Sequence, residues 1–247
     1  MIVGKTEELG IEIAIDGTKD LDCLKELDIA VIDKLFLHMY KPISLKFLKD
    51  FPNLKQLLIV GSLKNLEFIA QCSTIEELAL QNGTIDSLDF TLNLSLKKLV
   101  LENIKTRVDR LEIPNIPTLE NLGLSGIHKV GDLDFLSDFI GLRELTLSWL
   151  KAKRLFDFSN LRHLECLYMY RMLHLTNIKE LSTASALNFL SITETPKLKM
   201  QELKVVANMK SLEKLHIPFI TENPNSYKRY VQELGYGNLL YDGNAST

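Results

Sequence analysis

The sequence has few of the features that mark several common classes of protein. Its 247 residues include three cysteines, Cys23, Cys72 and Cys166, which are odd in number and far apart. That usage is typical of reduced thiols and not of a disulfide framework. No apolar run approaches the roughly 20 residues that a membrane span needs, and no apolar core follows a basic leader at the start. We therefore expect a cytoplasmic protein that does not associate with a membrane.

Sequence signs of nucleic-acid binding are equally scarce. The formal net charge is −3 and no run of Lys and Arg occurs, so the chain has no general attraction to phosphate backbones. We therefore expect no nucleic-acid partner.

Catalytic motifs are lacking as well. No nucleophile elbow, phosphate loop or dinucleotide-binding glycine pattern is present. His163 and Cys166 form the nearest approach to a ligand pair, but one His and one Cys do not make a four-ligand site. We predict a non-enzymatic protein with no catalytic residue, no metal and no cofactor.

What the sequence does contain is a repeat. The pattern apolar-x-x-Leu-x-apolar recurs at intervals of 21 to 25 residues, which is the mark of a repeat architecture. A degraded unit, "GIEIAI" from Gly10, precedes the first clear match by one interval. The clear matches begin at Ile32, Leu54, Ile75, Leu96, Leu119, Leu142, Leu164, Leu187 and Leu212.

These residues resemble the leucine-rich repeat family, over about residues 10–217. The resemblance implies an α/β fold: a leucine-rich repeat solenoid, shaped as a curved horseshoe, with a parallel β-sheet on the concave face and short helices or turns on the convex face. Family members commonly place Asn three residues after the last strand leucine. This chain instead has mostly apolar residues there, such as Ile104, Leu150 and Met172, so we expect turns that are irregular from repeat to repeat.

The repeats need caps at both ends, because no repeat buries its leucines alone. We predict one domain over residues 1–247, with an N-terminal cap at 1–31, repeats at 32–217 and a C-terminal cap at 218–247. "TKDLDCLKEL", from Thr18, and "NPNSYKRYVQEL", which ends before Gly235, are predicted cap helices. "MQELKVVANMKSL", from Met200, has apolar residues three apart and is predicted to be helical, whereas Pro114 and Pro117 predict an extended segment.

Family members very often bind partners through the strand residues between the leucines. On that face we expect an aromatic group around Trp149, the only tryptophan, with Arg171 stacked over its ring. The alternative is that Trp149 folds down over Leu150 and fills irregular packing. The predicted partner-binding residues, rich in the types that dominate interfaces, are Trp149, Tyr168, Tyr170, Arg171, Phe189, Arg143 and His216. A weaker apolar patch is predicted at Phe36, Leu58, Val60 and Val100.

The leading functional hypothesis is a non-enzymatic module that binds a protein or peptide on this concave face and is a monomer in isolation. It takes two forms that the sequence does not separate: an inhibitor of the immunity type, or an adaptor. The alternatives are a self-associating structural protein and a regulatory subunit or activator of an intracellular enzyme.

Overall fold

The computed structural model describes residues 3–6, 10–15, 21, 24, 27–130, 132–217, 224–233, 235 and 237. They belong to two compact units, one within Met1–Leu119 and Ile127–Val130, the other within Glu120–Gly126 and Gly131–Thr247. The prediction that the chain is a single domain stays a prediction. In the described part of the chain, no helix is both long and apolar enough to cross a membrane.

The described residues of the first unit form six strands, whose order in the sheet follows the sequence. The first two strands are antiparallel, and every later neighbour is parallel. The degraded unit at Gly10 is therefore a genuine strand of the sheet, paired in register with the first clear repeat. The strands are β1 (Val3–Thr6), β2 (Gly10–Ile15), β3 (Lys34–Met39), β4 (Gln56–Gly61), β5 (Glu77–Gln81) and β6 (Lys98–Glu102).

Five parallel strands, again in sequence order, lie in the described part of the second unit. A single α-helix of the described residues, α1 (Pro224–Glu233), follows them and packs against the segment Met200–Asn208. Gly235, two residues after the end of this predicted cap helix, has φ of 84° and donates to the Gln232 carbonyl oxygen, as expected of a helix-ending glycine. The strands are β7 (Asn121–Ser125), β8 (Glu144–Ser148), β9 (Cys166–Tyr170), β10 (Phe189–Thr193) and β11 (Lys214–His216).

Along β3, β5, β7 and β9, buried apolar residues, mostly leucines, alternate with half-exposed residues, as the period of two requires. In β8, Leu145 and Leu147 are fully buried whereas Glu144 and Thr146 are half-exposed. The parallel register places leucine beside leucine, so that Leu145 lies between Leu122 and Leu167. The face that carries the residues between the leucines is called the open face below. The predicted register of the repeats is confirmed.

The turn that follows the strands is more regular than we expected from the sequence. One position, repeated every 21 to 23 residues, has a left-handed backbone with φ between 50° and 103° in seven successive repeats. The residues at this position that follow β7, β8 and β9 still donate their amides to carbonyl oxygens of the next strand. The expectation of irregular turns is therefore wrong at this position. The residues are Gly61, Asn82, Asn103, Gly126, Trp149, Arg171 and Glu194.

The left-handed residue turns the chain so that the next side chain points into the core. Ile104, Leu150, Met172 and Thr195 all follow such a residue and are buried. The apolar packing that we predicted in place of the usual asparagine is confirmed at Ile104, Leu150 and Met172, whereas Thr195 is a buried polar residue whose hydroxyl donates to the Thr193 carbonyl oxygen. At Gly83, a Cβ would lie 2.5 Å from the Gly61 carbonyl oxygen, so this repeat has room only for glycine.

Hydroxyl groups just before the strands bond one repeat to the preceding one. Thr74 and Thr118, each one residue before a repeat pattern begins, donate to the carbonyl oxygens of Leu54 and Leu96 in the preceding repeat, at 2.7 and 2.8 Å. Ser211 donates in the same way to Leu187, at 2.8 Å. These bonds satisfy carbonyl groups that would otherwise be left without a donor near the core.

The segments that return from one strand to the next are short. Where they are helical they are 3₁₀-helices, so the predicted short helices exist but α-helical geometry is confined to α1 among the described residues. No helix forms around Pro114 and Pro117, as predicted. The predicted N-terminal helix from Thr18 lies largely outside the described residues. The 3₁₀ segments are Ile29–Val31, Leu45–Asp50, Leu66–Gln71, Asp89–Asn93, Asp134–Asp138, Lys179–Thr183 and Met200–Asn208.

Candidate functional site

The predicted aromatic group forms on the open face of the second unit. Register between β8, β9 and β10 aligns equivalent residues of the three strands in rows across the sheet. Three rows lie on the open face, and a fourth lies just after the ends of the strands. The four side chains Trp149, Tyr168, Tyr170 and Phe189, together with Arg171, are called the aromatic ridge below.

Trp149 lies at the edge of the sheet with 45% of its surface exposed. Its ring meets the Tyr170 ring edge to face, with the centroids 6.4 Å apart and an angle of 79° between the planes, a preferred geometry for aromatic pairs. Leu150 is in the core while the indole is partly exposed, so Trp149 is not fully buried. That Trp149 binds a partner stays a prediction.

Arg171 is held from three sides. Its guanidinium carbon lies 4.6 Å from the centre of the Trp149 ring and 5.1 Å from that of Tyr170. Its Nε donates to the Glu194 carboxylate, and that bond raises the pKa of Arg171. The predicted stacking of Arg171 on Trp149 is confirmed. Sequence reasoning did not select Glu194, although its equivalence to Trp149 and Arg171 in the repeat was a usable signal.

The left-handed backbone explains why this row differs from the others. Gly and Asn occupy the position in four repeats because they adopt positive φ readily. Trp149, Arg171 and Glu194 have φ of 55°, 52° and 50°, and a non-glycine residue in this region costs about 1–3 kcal/mol. Three such residues stand in successive repeats, and the middle one, Arg171, contacts both of the others, an arrangement that local folding does not require.

Tyr168 and Phe189 form the second part of the ridge, one strand apart. Their ring centroids are 5.2 Å apart with an angle of 38° between the planes. Cys166 is in register with Phe189. Burial raises the pKa of the Cys166 thiol, and Glu144 and Glu165 raise it further. Burial also raises the pKa of Tyr168, with added contributions from Cys166 and Glu144.

Small residues adjoin the ridge on the same face. β7 contributes Gly123 and Ser125, and β8 contributes Thr146 and Ser148. Ser148 is almost buried because its register partner is the large Tyr170. The small side chains of β7 and β8 therefore form a lower surface next to the larger side chains of the aromatic ridge.

Two of the predicted site residues lie apart from the ridge. Arg143 precedes β8 and pairs with Glu165 at 2.9 Å and with Glu120 at 4.0 Å. His216 ends β11, and its Nδ1 is 3.1 Å from the Ser191 hydroxyl oxygen. His216 is in register with Ser191 of the open face, and Arg143 lies just before β8. The ring contacts shown around Trp149 are made by Tyr170 and Arg171.

Tyr170 offers a direct check on the geometry of the ridge. Burial raises its pKa, and the hydrogen bond to Glu194 raises it further. We expect the difference in absorbance at 295 nm between the wild type and Tyr170→Phe to titrate above pH ~10, the ordinary tyrosine value. A raised pKa in the folded state stabilises the protein below the unfolded-state value, and that contribution is lost as the pH rises through the folded-state value. A difference curve at or below the ordinary value would contradict the contact with Glu194.

The open face of the first unit has a different character. Its middle row is apolar and lines a shallow hollow of about 280 Å³. Ala79 forms the floor of this hollow between the larger Leu58 and Val100. The weaker patch predicted from the sequence is thus brought together at Phe36, Leu58 and Val100, and Val60 lies in the next row.

Across the described ranges, no group of three or more His, Cys, Asp or Glu side chains is arranged to hold a metal ion. Two of the cysteines, the buried Cys72 and the half-exposed Cys166, are free thiols. Cys23 lies outside the described residues.

No family profile matches the sequence, and no curated protein matches it. Solved structures do match. A leucine-rich repeat protein of Leptospira interrogans is similar over 93% of this chain and 58% of its own, with 21% identity and a TM-score of 0.63. A plant peptide hormone receptor, RGFR1 in complex with RGF2, is similar over 87% of this chain and 36% of its own, with 18% identity and a TM-score of 0.52.

The chain has the leucine-rich repeat fold. The strand order, the alternating leucines and these two structures agree on it. The leucine-rich repeat chain described here spans about three fifths of the length of the Leptospira protein and about a third of that of the plant receptor. At these identities the likeness establishes the fold, and the function has to be argued from the site.

Proposed function

We propose that the chain is a protein-binding module that holds a protein or peptide partner on the open face of its second unit, with the aromatic ridge at the centre of the interface. The observation that carries this proposal is the row Trp149, Arg171 and Glu194. All three have a strained backbone, at positions where other repeats use Gly or Asn, and Arg171 contacts both Trp149 and Glu194. Strain of this kind is typically retained at functional sites.

The composition of the ridge supports the same function. Trp, Tyr and Arg are the residues most enriched at the energetic centres of interfaces. The stacked Arg171 and the paired rings of Tyr168 and Phe189 are already ordered, so a partner loses little side-chain entropy by docking on them. One protein of the same fold, the plant receptor, is in complex with RGF2.

The partner test compares two folded baits in a capture experiment. Trp149→Ala/Tyr170→Ala removes two rings of the ridge, and we expect at least a hundredfold loss of affinity, since each ring at an interface centre contributes ~2 kcal/mol or more. The matched control is Ile140→Ala/Leu92→Ala, which removes two side chains that are 60% and 56% exposed and lie outside the strands. A partner that binds the ridge is captured by the wild type and the control and lost by the ridge variant. Equal capture by all three baits would contradict the proposal.

The captured complexes also distinguish an inhibitor of the immunity type from an adaptor. An inhibitor of the immunity type forms one complex that survives dilution, whereas an adaptor forms several complexes of moderate affinity. We favour the inhibitor form, because a pre-ordered ridge with strained residues suits one partner better than a surface that repacks for many. Sedimentation of the captured complex over a dilution series tells the two apart.

The remaining parts of the proposal are a monomeric state, a cytoplasmic location and the lack of catalysis. The free thiols of Cys72 and Cys166 support the reducing location. Self-association through the apolar hollow of the first unit is the competing function, and light scattering over a concentration series tests it. A constant mass supports the module, and a mass that rises with concentration supports the structural alternative.

A further inference from the structure

The charges beside the aromatic ridge bear on what kind of partner it takes. Two rows of residues lie where the strands of the second unit begin: the residue before each strand and the first residue of each strand. Four carboxylates and two cations occupy these rows, so they hold an excess of two negative charges at neutral pH. The rows are Glu120, Arg143, Glu165, Asn188 and Glu213, followed by Asn121, Glu144, Cys166, Phe189 and Lys214.

Arg143 already forms ion pairs with two carboxylates of this group. It lies between Glu165 and Glu120, at 2.9 and 4.0 Å. Its charge therefore neutralises part of the first row and leaves the second row unaffected. The other cation, Lys214, is in register with Phe189 and lies three strands from Glu144.

Glu144 is the carboxylate that this arrangement leaves without a counter-charge. It forms no ion pair with any residue in the described ranges, and its register partners, Asn121 and Cys166, are neutral side chains. It is half-exposed on the open face. Its negative charge raises the pKa of both Cys166 and Tyr168, so its field reaches into the ridge.

The aromatic pair lies immediately beyond Cys166. Tyr168 and Phe189 present tilted rings 5.2 Å apart, both half-exposed. Aromatic faces attract ammonium and guanidinium groups through the ring quadrupole, and a neighbouring carboxylate adds to that attraction. Arg171 is not available to satisfy this region, because it is stacked on Trp149 and bonded to Glu194.

We infer that Glu144, Tyr168 and Phe189, grouped around Cys166, form a subsite that receives a Lys or Arg side chain of the partner. The inference rests on the proposed function, since it names the chemistry of the partner that the ridge binds. The cationic head lies between the Glu144 carboxylate and the rings, and the alkyl stem of that side chain covers Cys166. The partner therefore presents a basic segment to this end of the strands.

Cys166 lies within the subsite and reports its potential directly. In the full-length protein, the thiol is modified separately with the trimethylammonium-ethyl and the sulfonatoethyl methanethiosulfonates, and the rate at Cys166 is followed by peptide mass spectrometry. The ratio of the cationic to the anionic rate is normalised to that of N-acetylcysteine amide. We expect a normalised ratio of about three to ten at low salt, falling toward one in about 1 M NaCl, where the screening length is ~3 Å.

Glu144→Gln should lower this normalised ratio by at least half. The matched control is Glu202→Gln, which removes the same charge from the 3₁₀ segment Met200–Asn208 and should leave the ratio unchanged. A normalised ratio of one or less in the wild type overturns the inference. So does an equal fall in both variants, because the potential at Cys166 would then arise from net charge alone.

The aromatic part is tested by protection. End-blocked hexalysine and hexaglutamate peptides are compared for how far they slow the reaction of Cys166 with the neutral methyl methanethiosulfonate. We expect hexalysine, and not hexaglutamate, to slow the reaction of Cys166. Phe189→Leu should lose most of this protection by hexalysine, while the normalised ratio of the cationic to the anionic rate stays unchanged. Equal protection by the two peptides, or full protection in Phe189→Leu, contradicts the subsite. Neither readout uses the captured partner, so a loss of capture by Trp149→Ala/Tyr170→Ala together with a ratio of one would refute the subsite and leave the proposed function standing.

Discussion

Leu145→Asp should abolish the cooperative folding of the second unit. Leu145 is fully buried in the middle of β8, with Leu122 and Leu167 as its register partners. Shortening a buried leucine to alanine already costs about 2–5 kcal/mol. A carboxylate placed among leucines finds no donor, so its desolvation adds to that loss. We expect a total of more than about 4 kcal/mol, an amount comparable with the whole stability of a small domain.

Thr146→Asp is the matched control for this change. It adds the same charge one residue along, on the half-exposed open face, and should cost about 1 kcal/mol or less. Urea unfolding followed by fluorescence suits this test because Trp149, the only tryptophan, lies in the same unit. An unchanged unfolding midpoint in Leu145→Asp would mean that the assignment of buried and open faces in β8 is wrong.

Gly61→Ala should destabilise the first unit by about 2–5 kcal/mol. Gly61 has φ of 103°, and an added Cβ would lie 2.4 Å from the Met39 carbonyl oxygen. The left-handed backbone costs an ordinary residue about 1–2 kcal/mol, and forcing an extra carbon into a filled space costs about 1–3 kcal/mol. The obstacle is backbone of the neighbouring strand, so no side chain can rotate to relieve it. The strands β3 to β5 should show the loss as faster amide hydrogen exchange.

Gly235→Ala separates the two causes. Gly235 also has a positive φ, of 84°, but a Cβ there would meet nothing within 4 Å. This variant should show the conformational cost alone, about 1–2 kcal/mol. If Gly61→Ala and Gly235→Ala cost the same, the contact with Met39 contributes nothing, and the close approach of β3 and β4 at this turn would be contradicted.

The turn residues connect stability with the proposed function. The same backbone position is occupied by Gly61 in the first unit and by Trp149 in the second. In the first case the residue fits the conformation that the turn requires. In the second it does not, and the side chain is instead displayed at the edge of the sheet beside Arg171. Folding alone would favour Gly or Asn at residue 149, and this difference is the ground for the proposal that Trp149 binds a partner.

Much of the architecture could be predicted from the sequence because it follows from periodicity. Leucines at alternate positions, repeated every 21 to 25 residues, cannot be buried except by stacking strands in parallel. Both the register of Leu145 with its neighbours and the position of Tyr168 and Tyr170 on the open face follow from that rule. The stacking of Arg171 on Trp149 was predictable too, since the two are equivalent residues of adjacent repeats.

The sequence by itself thus determined the repeat, the strand faces and most of the ridge, because these depend on spacing along the chain. The tertiary structure alone decided the left-handed turn, the bond from Arg171 to Glu194 and the lack of a counter-charge at Glu144. Backbone angles at a turn depend on which side chain the next residue must place in the core. Ion pairing depends on which of several charged neighbours comes within reach after the strands have packed, and spacing along the chain does not contain that information.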